Sequence, residues 1–202
     1  MEPPPVVLRD IRDSLTSACL RQALAELAMG NLTNYIADLL KTCYESDKMV
    51  EVNFSEGPST DFPDLFHDGI TDGTEAGDSI SDPARFVRIN TKLNTAIASG
   101  SKEYVSATII HEIIHGYYKV EYGRESTNPW DHGQMVGDLY FNRMKYALQE
   151  LFPGLSDIDA QALVWIGLQD TDQYKNKPLS EKNSIESTAL NYRVGLSGTK
   201  CN

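Results

Sequence analysis

The chain has 202 residues, a length that fits one domain, and its 41% hydrophobic and 23% charged residues have the balance of a globular protein rather than a disordered one. The 29 acidic side chains outnumber 18 basic ones, and a formal charge of −11 repels phosphate backbones, so a generic nucleic-acid binder is excluded. The longest uninterrupted apolar run, Ala162 to Leu168, is far short of the roughly 20 residues of a membrane span, so a soluble protein without a span is expected.

Met1 to Pro5 carry no cationic stretch followed by an apolar one, so no secretory signal is expected, and the proline triplet suits an extended linker over residues 1–9. Residues 10–202 read as a single domain. Ile11, Leu15, Ala18, Cys19, Gln22, Ala23 and Leu27 recur near a 3.6-residue period and predict a first helix, stopped by Gly30-Asn31. Thr33 caps a second, with Tyr35, Ile36, Leu39, Leu40 and Cys43 as its apolar stripe. Cys19, Cys43 and Cys201 show no C-x-x-C spacing, and an odd count leaves a thiol unpaired in a monomer. Cys19 and Cys43 read as small buried hydrophobes of the helical pair, with a disulfide between them as the alternative.

Val50, Val52 and Phe54 alternate with polar residues and predict a strand. From Ser55 to Pro83 no periodicity is sustained, which predicts a long loop. Its Asp61, Asp64, Asp68, Asp72 and Asp78 lack the D-x-D-x-D-G spacing of a calcium loop. Arg85 to Asn90 alternates again, with Phe86, Arg88 and Asn90 on one side and Val87 and Ile89 on the other, a second strand. Ser101 caps a helix to about Tyr122, ended by Gly123, and a further helix is expected from Pro129 to Leu151. Ser156 and Asp159 open a segment through Ile158, Leu163, Trp165, Ile166 and Leu168, and a last helix spans Ser180 to Arg193. The expected class is α+β, mainly helical, with a small sheet ahead of the Ser101 helix.

That helix carries His111-Glu112-Ile113-Ile114-His115. Residues four apart on a helix share a face, so both imidazoles reach one ion, and zinc accepts two such nitrogens while leaving positions for a third ligand and a water. Glu112, beside the first histidine, can take a proton from water at the metal without being a ligand. His132 is the candidate third ligand, near the start of the next helix. Glu121, Glu125, Asp131 and Asp138 are the carboxylate rivals, and Asp131 also suits orientation of an imidazole N–H. His67 reads as a surface residue. Tyr117, Tyr118, Tyr122 and Tyr140 lie near the motif as oxyanion donors, with a packed aromatic the commoner role for a helical tyrosine.

His111 to Tyr118, followed after a polar loop by Asp131-His132-Gly133-Gln134-Met135, resembles the SprT-like branch of the zincin metalloproteases. The resemblance covers about Phe86 to Met144. It implies a zincin-like domain with a core of about residues 86–168, His111, His115 and His132 as Zn2+ ligands, Glu112 as catalytic base, and peptide-bond hydrolysis. It also implies that the strand before the motif helix, here Phe86 to Asn90, edges the cleft and pairs with substrate, Arg88 or Asn90 selecting side chains. An ordinary sheet strand is the alternative. No cysteine-rich zinc ribbon or basic region follows, so the DNA-linked proteolysis of some SprT-like proteins is not implied. The chain is also similar to zincin-like domains of large bacterial surface or toxin-type proteins, which implies a secreted or surface-exposed setting and a toxin-type effector as one reading. A zinc- or peptide-binding module without turnover is another. The acidic loop favours cationic peptide or protein substrates.

Overall fold

The computed structural model describes residues 11–28, 49–63, 67–76, 86–122, 129–137 and 140–201. The expected linker and the expected second helix around Thr33 to Cys43 lie outside the described residues. The elements in chain order are β1 (Ile11–Asp13), α1 (Ala18–Ala28), β2 (Met49–Gly57), β3 (Gly69–Ala76), β4 (Phe86–Asn94), α2 (Lys102–Tyr122), α3 (Pro129–Gly137), α4 (Tyr140–Leu151), α5 (Asp157–Trp165), α6 (Asp172–Lys175) and α7 (Leu179–Arg193). Single 3-10 turns occupy Ser59–Asp61 and Thr95–Ser99. The mixed α+β class is as expected.

The described residues form one four-stranded sheet in the order β1-β2-β4-β3. β1 runs parallel to β2 and β2 parallel to β4, whereas β3 runs antiparallel to β4 and has no second strand partner among the described residues. Three expectations are corrected here. The segment before α1 is a strand, not the first turns of a helix: the Asp13 carboxylate accepts from Leu15 N at 2.7 Å and Ser14 N donates to Phe54 O at 3.0 Å, which turns the chain before Ala18. The presumed loop from Ser55 to Pro83 contains β3. β4, expected to edge the cleft, is paired on both sides and has no free edge.

Alternation explains the packing. Val87, Ile89, Thr91 and Leu93 are buried while Arg88 and Asn90 are exposed, and Val50, Val52 and Phe54 are buried in β2. Ile109, Ile110, Ile113, Ile114 and Tyr118 of α2 join the same core, with Leu20, Ala23, Leu24 and Leu27 of α1. A Cβ on Gly116 would lie 3.1 Å from Ile89 Cγ2, so α2 crosses β4 at a distance only a small residue permits. Ser101 caps α2 as expected, accepting from Tyr104 N at 3.2 Å, and Ser156 caps α5 by accepting from Asp159 N at 3.1 Å. The helix expected over Pro129 to Leu151 is two helices, α3 and α4. Among the described residues no helix is long and apolar enough to cross a membrane.

The far end of the chain closes on the start of α2. Thr199 donates to Glu103 through its N (2.8 Å) and its hydroxyl (2.8 Å), Lys200 bridges to Ser101, and Cys201 forms a disulfide with Cys19 across a separation of 182 residues. This corrects the reading of Cys19 as a free hydrophobe or a partner of Cys43. Arg193, at the end of α7, donates to both oxygens of Asp68 at 2.8 Å, and Tyr104 donates its hydroxyl to Asp68 at 2.6 Å. The Asp68 side chain is 4% exposed and that of Arg193 24%, so little water screens the pair. Arg193→Ala is expected to cost about 2–3 kcal/mol, since Asp68 loses two charge-assisted bonds but keeps Tyr104. A urea midpoint equal to that of the unchanged chain would refute this.

Candidate metal centre

His111 and His115 sit one turn apart in the middle of α2, on the stretch that crosses β3 and β4. Burial brings His111 to 7% exposure and Glu112 to 4%. His132 reaches the same point from α3. His111 Nε2 lies 3.0 Å from His115 Nε2, and His132 Nε2 lies 3.1 Å from His115 Nε2. Ligand atoms of the three residues all fall within 4.8 Å of one another.

Hydrogen bonding does not account for this convergence. The nitrogen of His115 carries either one hydrogen or one lone pair, so it can satisfy one of its two close contacts and not both. Protonation gives no relief. Burial, then the neighbouring His132, pushes the His115 imidazole down to about 3, and burial holds His111 well below the usual histidine range. Three imidazoles directing nitrogens at one point are a ligand set. For donors about 2.0–2.1 Å from a tetrahedral ion the N···N spacing is about 3.3–3.4 Å, close to the 3.0 and 3.1 Å that separate His115 from the other two. The three histidines can hold a metal ion.

The other features of the site come from elements the sequence did not join to it. His132 Nδ1 is 2.7 Å from Oδ1 of Asp170, between α5 and α6; the side chain of Asp131, considered for orientation of an imidazole N–H, lies outside the described residues. A Cβ on Gly167, where φ is +90°, would sit 2.8 Å from His111 Cε1, so bare backbone packs against that ring. A Cβ on Gly69, at the start of β3, would meet Glu112 Oε1 at 2.5 Å, and this missing side chain is the space that Glu112 occupies. Thr71 of β3 donates to the Glu112 carbonyl oxygen at 3.2 Å and lies 2.9 Å from the Thr91 hydroxyl, which ties α2 to the sheet edge beside the motif. Burial raises the Glu112 carboxyl to about 7, against the pull of Lys119. Glu112 Oε2 and His111 Nδ1 are buried with no hydrogen-bond partner among the described residues.

Other candidates fall elsewhere. Tyr118 is fully buried, its ring 5.5 Å from that of Tyr140, and serves the core. His67 is exposed. The side chains of Glu121 and Tyr122, and residues Glu125 and Asp138, lie outside the described residues. No protein-family model, curated protein or solved structure matches this chain.

Proposed function

We propose that the chain is a zinc metallopeptidase with a zincin-like fold, resembling the SprT-like branch. The observation that carries this is the convergence of the His111, His115 and His132 nitrogens beside a buried glutamate that has a free carboxylate oxygen. Three imidazoles with open positions suit zinc. Zinc held there would supply a Lewis acid that lowers the pKa of water and polarises the scissile carbonyl. Glu112 would accept the proton of the attacking water and return it to the leaving amine. The raised carboxyl fits a group that must both take and give a proton.

The substrate edge is β3 rather than β4. The side of β3 away from β4 pairs with no strand among the described residues and would offer main-chain donors and acceptors to an extended peptide, whereas β4 is paired on both sides. Asp72 is exposed on this strand and the Asp170 side chain is 46% exposed beside His132, which with the net charge favours cationic peptides. The Cys19–Cys201 disulfide favours an oxidising compartment, in keeping with a secreted or surface-exposed protein.

Elemental analysis with peptide-library cleavage tests this reading. About one zinc per chain is expected, lost in His132→Ala together with cleavage, with basic peptides cut first. A metal-free protein would return the histidines to a structural role. Stoichiometric zinc without cleavage would leave a metal-dependent binding module.

A further inference from the structure

The segment joining α5 to α6, Ile166 to Thr171, touches two of the three candidate ligands. Gly167 lies against the His111 ring and Asp170 against His132. The turn is itself fixed. Leu168 is fully buried, and its carbonyl accepts from Thr171 N at 3.2 Å and from the Thr171 hydroxyl at 2.6 Å. Gln169 Oε1 accepts from Gly167 N at 2.8 Å, and Thr171 caps α6 by accepting from Tyr174 N at 3.3 Å. Asp170 is thus held between a buried anchor and a helix cap, although its own carboxylate reaches water.

A neutral imidazole has two tautomers, and in one of them Nε2 bears a hydrogen and cannot bind a metal. A carboxylate only accepts, so the 2.7 Å contact requires the hydrogen on Nδ1 and leaves the Nε2 lone pair facing the other two histidines. We propose that Asp170 is a positioning residue of the metal centre, which selects the metal-binding tautomer of His132 and fixes its ring through the rigid Ile166–Thr171 turn. This rests on the metal reading above. An ion pair serving only to hold α3 in place would produce the same contact without a role in binding, and the two are separable.

The test measures zinc affinity by competition with a chelator, the absorption spectrum of the cobalt-loaded protein, and the urea midpoint of the metal-free protein. Unchanged chain, Asp170→Ala and Asp170→Asn are compared. Asp170→Ala should bind zinc about 10–100-fold more weakly and shift the cobalt bands, with the metal-free midpoint unmoved. Asp170→Asn, whose amide oxygen can still accept from Nδ1, should recover part of that affinity. Affinity and spectrum equal to the unchanged chain in Asp170→Ala would overturn the proposal. So would a loss of affinity matched by a lower metal-free midpoint with no recovery in Asp170→Asn. Failure of the unchanged chain to bind zinc is a different result, and overturns the metal reading and this proposal together.

Discussion

Glu112→Gln is expected to keep its metal and lose about 10²–10⁴-fold in peptide hydrolysis. The amide has the same shape and fits the space above Gly69, so the neighbouring imidazoles need not move. It cannot accept a proton, and no other carboxylate among those described stands next to the histidine cluster except Asp170, which is engaged with His132. Zinc stoichiometry and cleavage measured on the same preparation decide the matter. Full zinc with full cleavage would remove Glu112 from the mechanism. Loss of zinc as well would mean that the residue holds the site together rather than acting on the substrate.

The largest stability effect is expected at the other end of the chain. Closing a loop with a separation of 182 residues restricts the unfolded chain by about 5 kcal/mol on loop-entropy grounds, and measured losses of native disulfides run at about 2–5 kcal/mol. Cys201→Ser should therefore lose about 2–5 kcal/mol in urea unfolding, and reduction of the unchanged chain should bring it to the same value. Equal midpoints for the oxidised chain and the variant would show that the bond adds nothing to the fold. The hydrogen bonds of Thr199 to Glu103 remain in the variant, so the difference reports the covalent link and not the loss of the whole terminal segment.

The parts of the molecule written in local periodicity were legible from residues alone. The Ser101 helix, the Val50 and Phe86 strands, the Ser156 cap and the last helix all stand where spacing places them. β3 was not legible, for a reason visible in its packing: it runs beneath α2, where Gly69 and Gly73 admit Glu112 and Lys119, and Ile70 is its single large apolar residue. A strand made of small and polar residues reads as a loop. Of the candidate site, the histidines and Glu112 were legible because helix geometry brings His111 and His115 together and His132 follows nearby. Asp170 was not, since 38 residues separate it from His132 and only the path of α4 and α5 brings them into contact. The Cys19–Cys201 pair failed to appear for the same reason on a larger scale: neither residue belongs to a local pattern that points to the other.

That pair also changes what a cut does to the molecule. With residues 19 and 201 joined, almost the whole chain is a covalent ring, and one hydrolysed peptide bond anywhere between them opens the ring without releasing a piece. A nicked molecule keeps its mass but for one water and stays a single species until its disulfide is reduced. For a chain proposed to hydrolyse peptide bonds, self-cleavage would then be a silent event, tolerated in place and visible only once thiol is added.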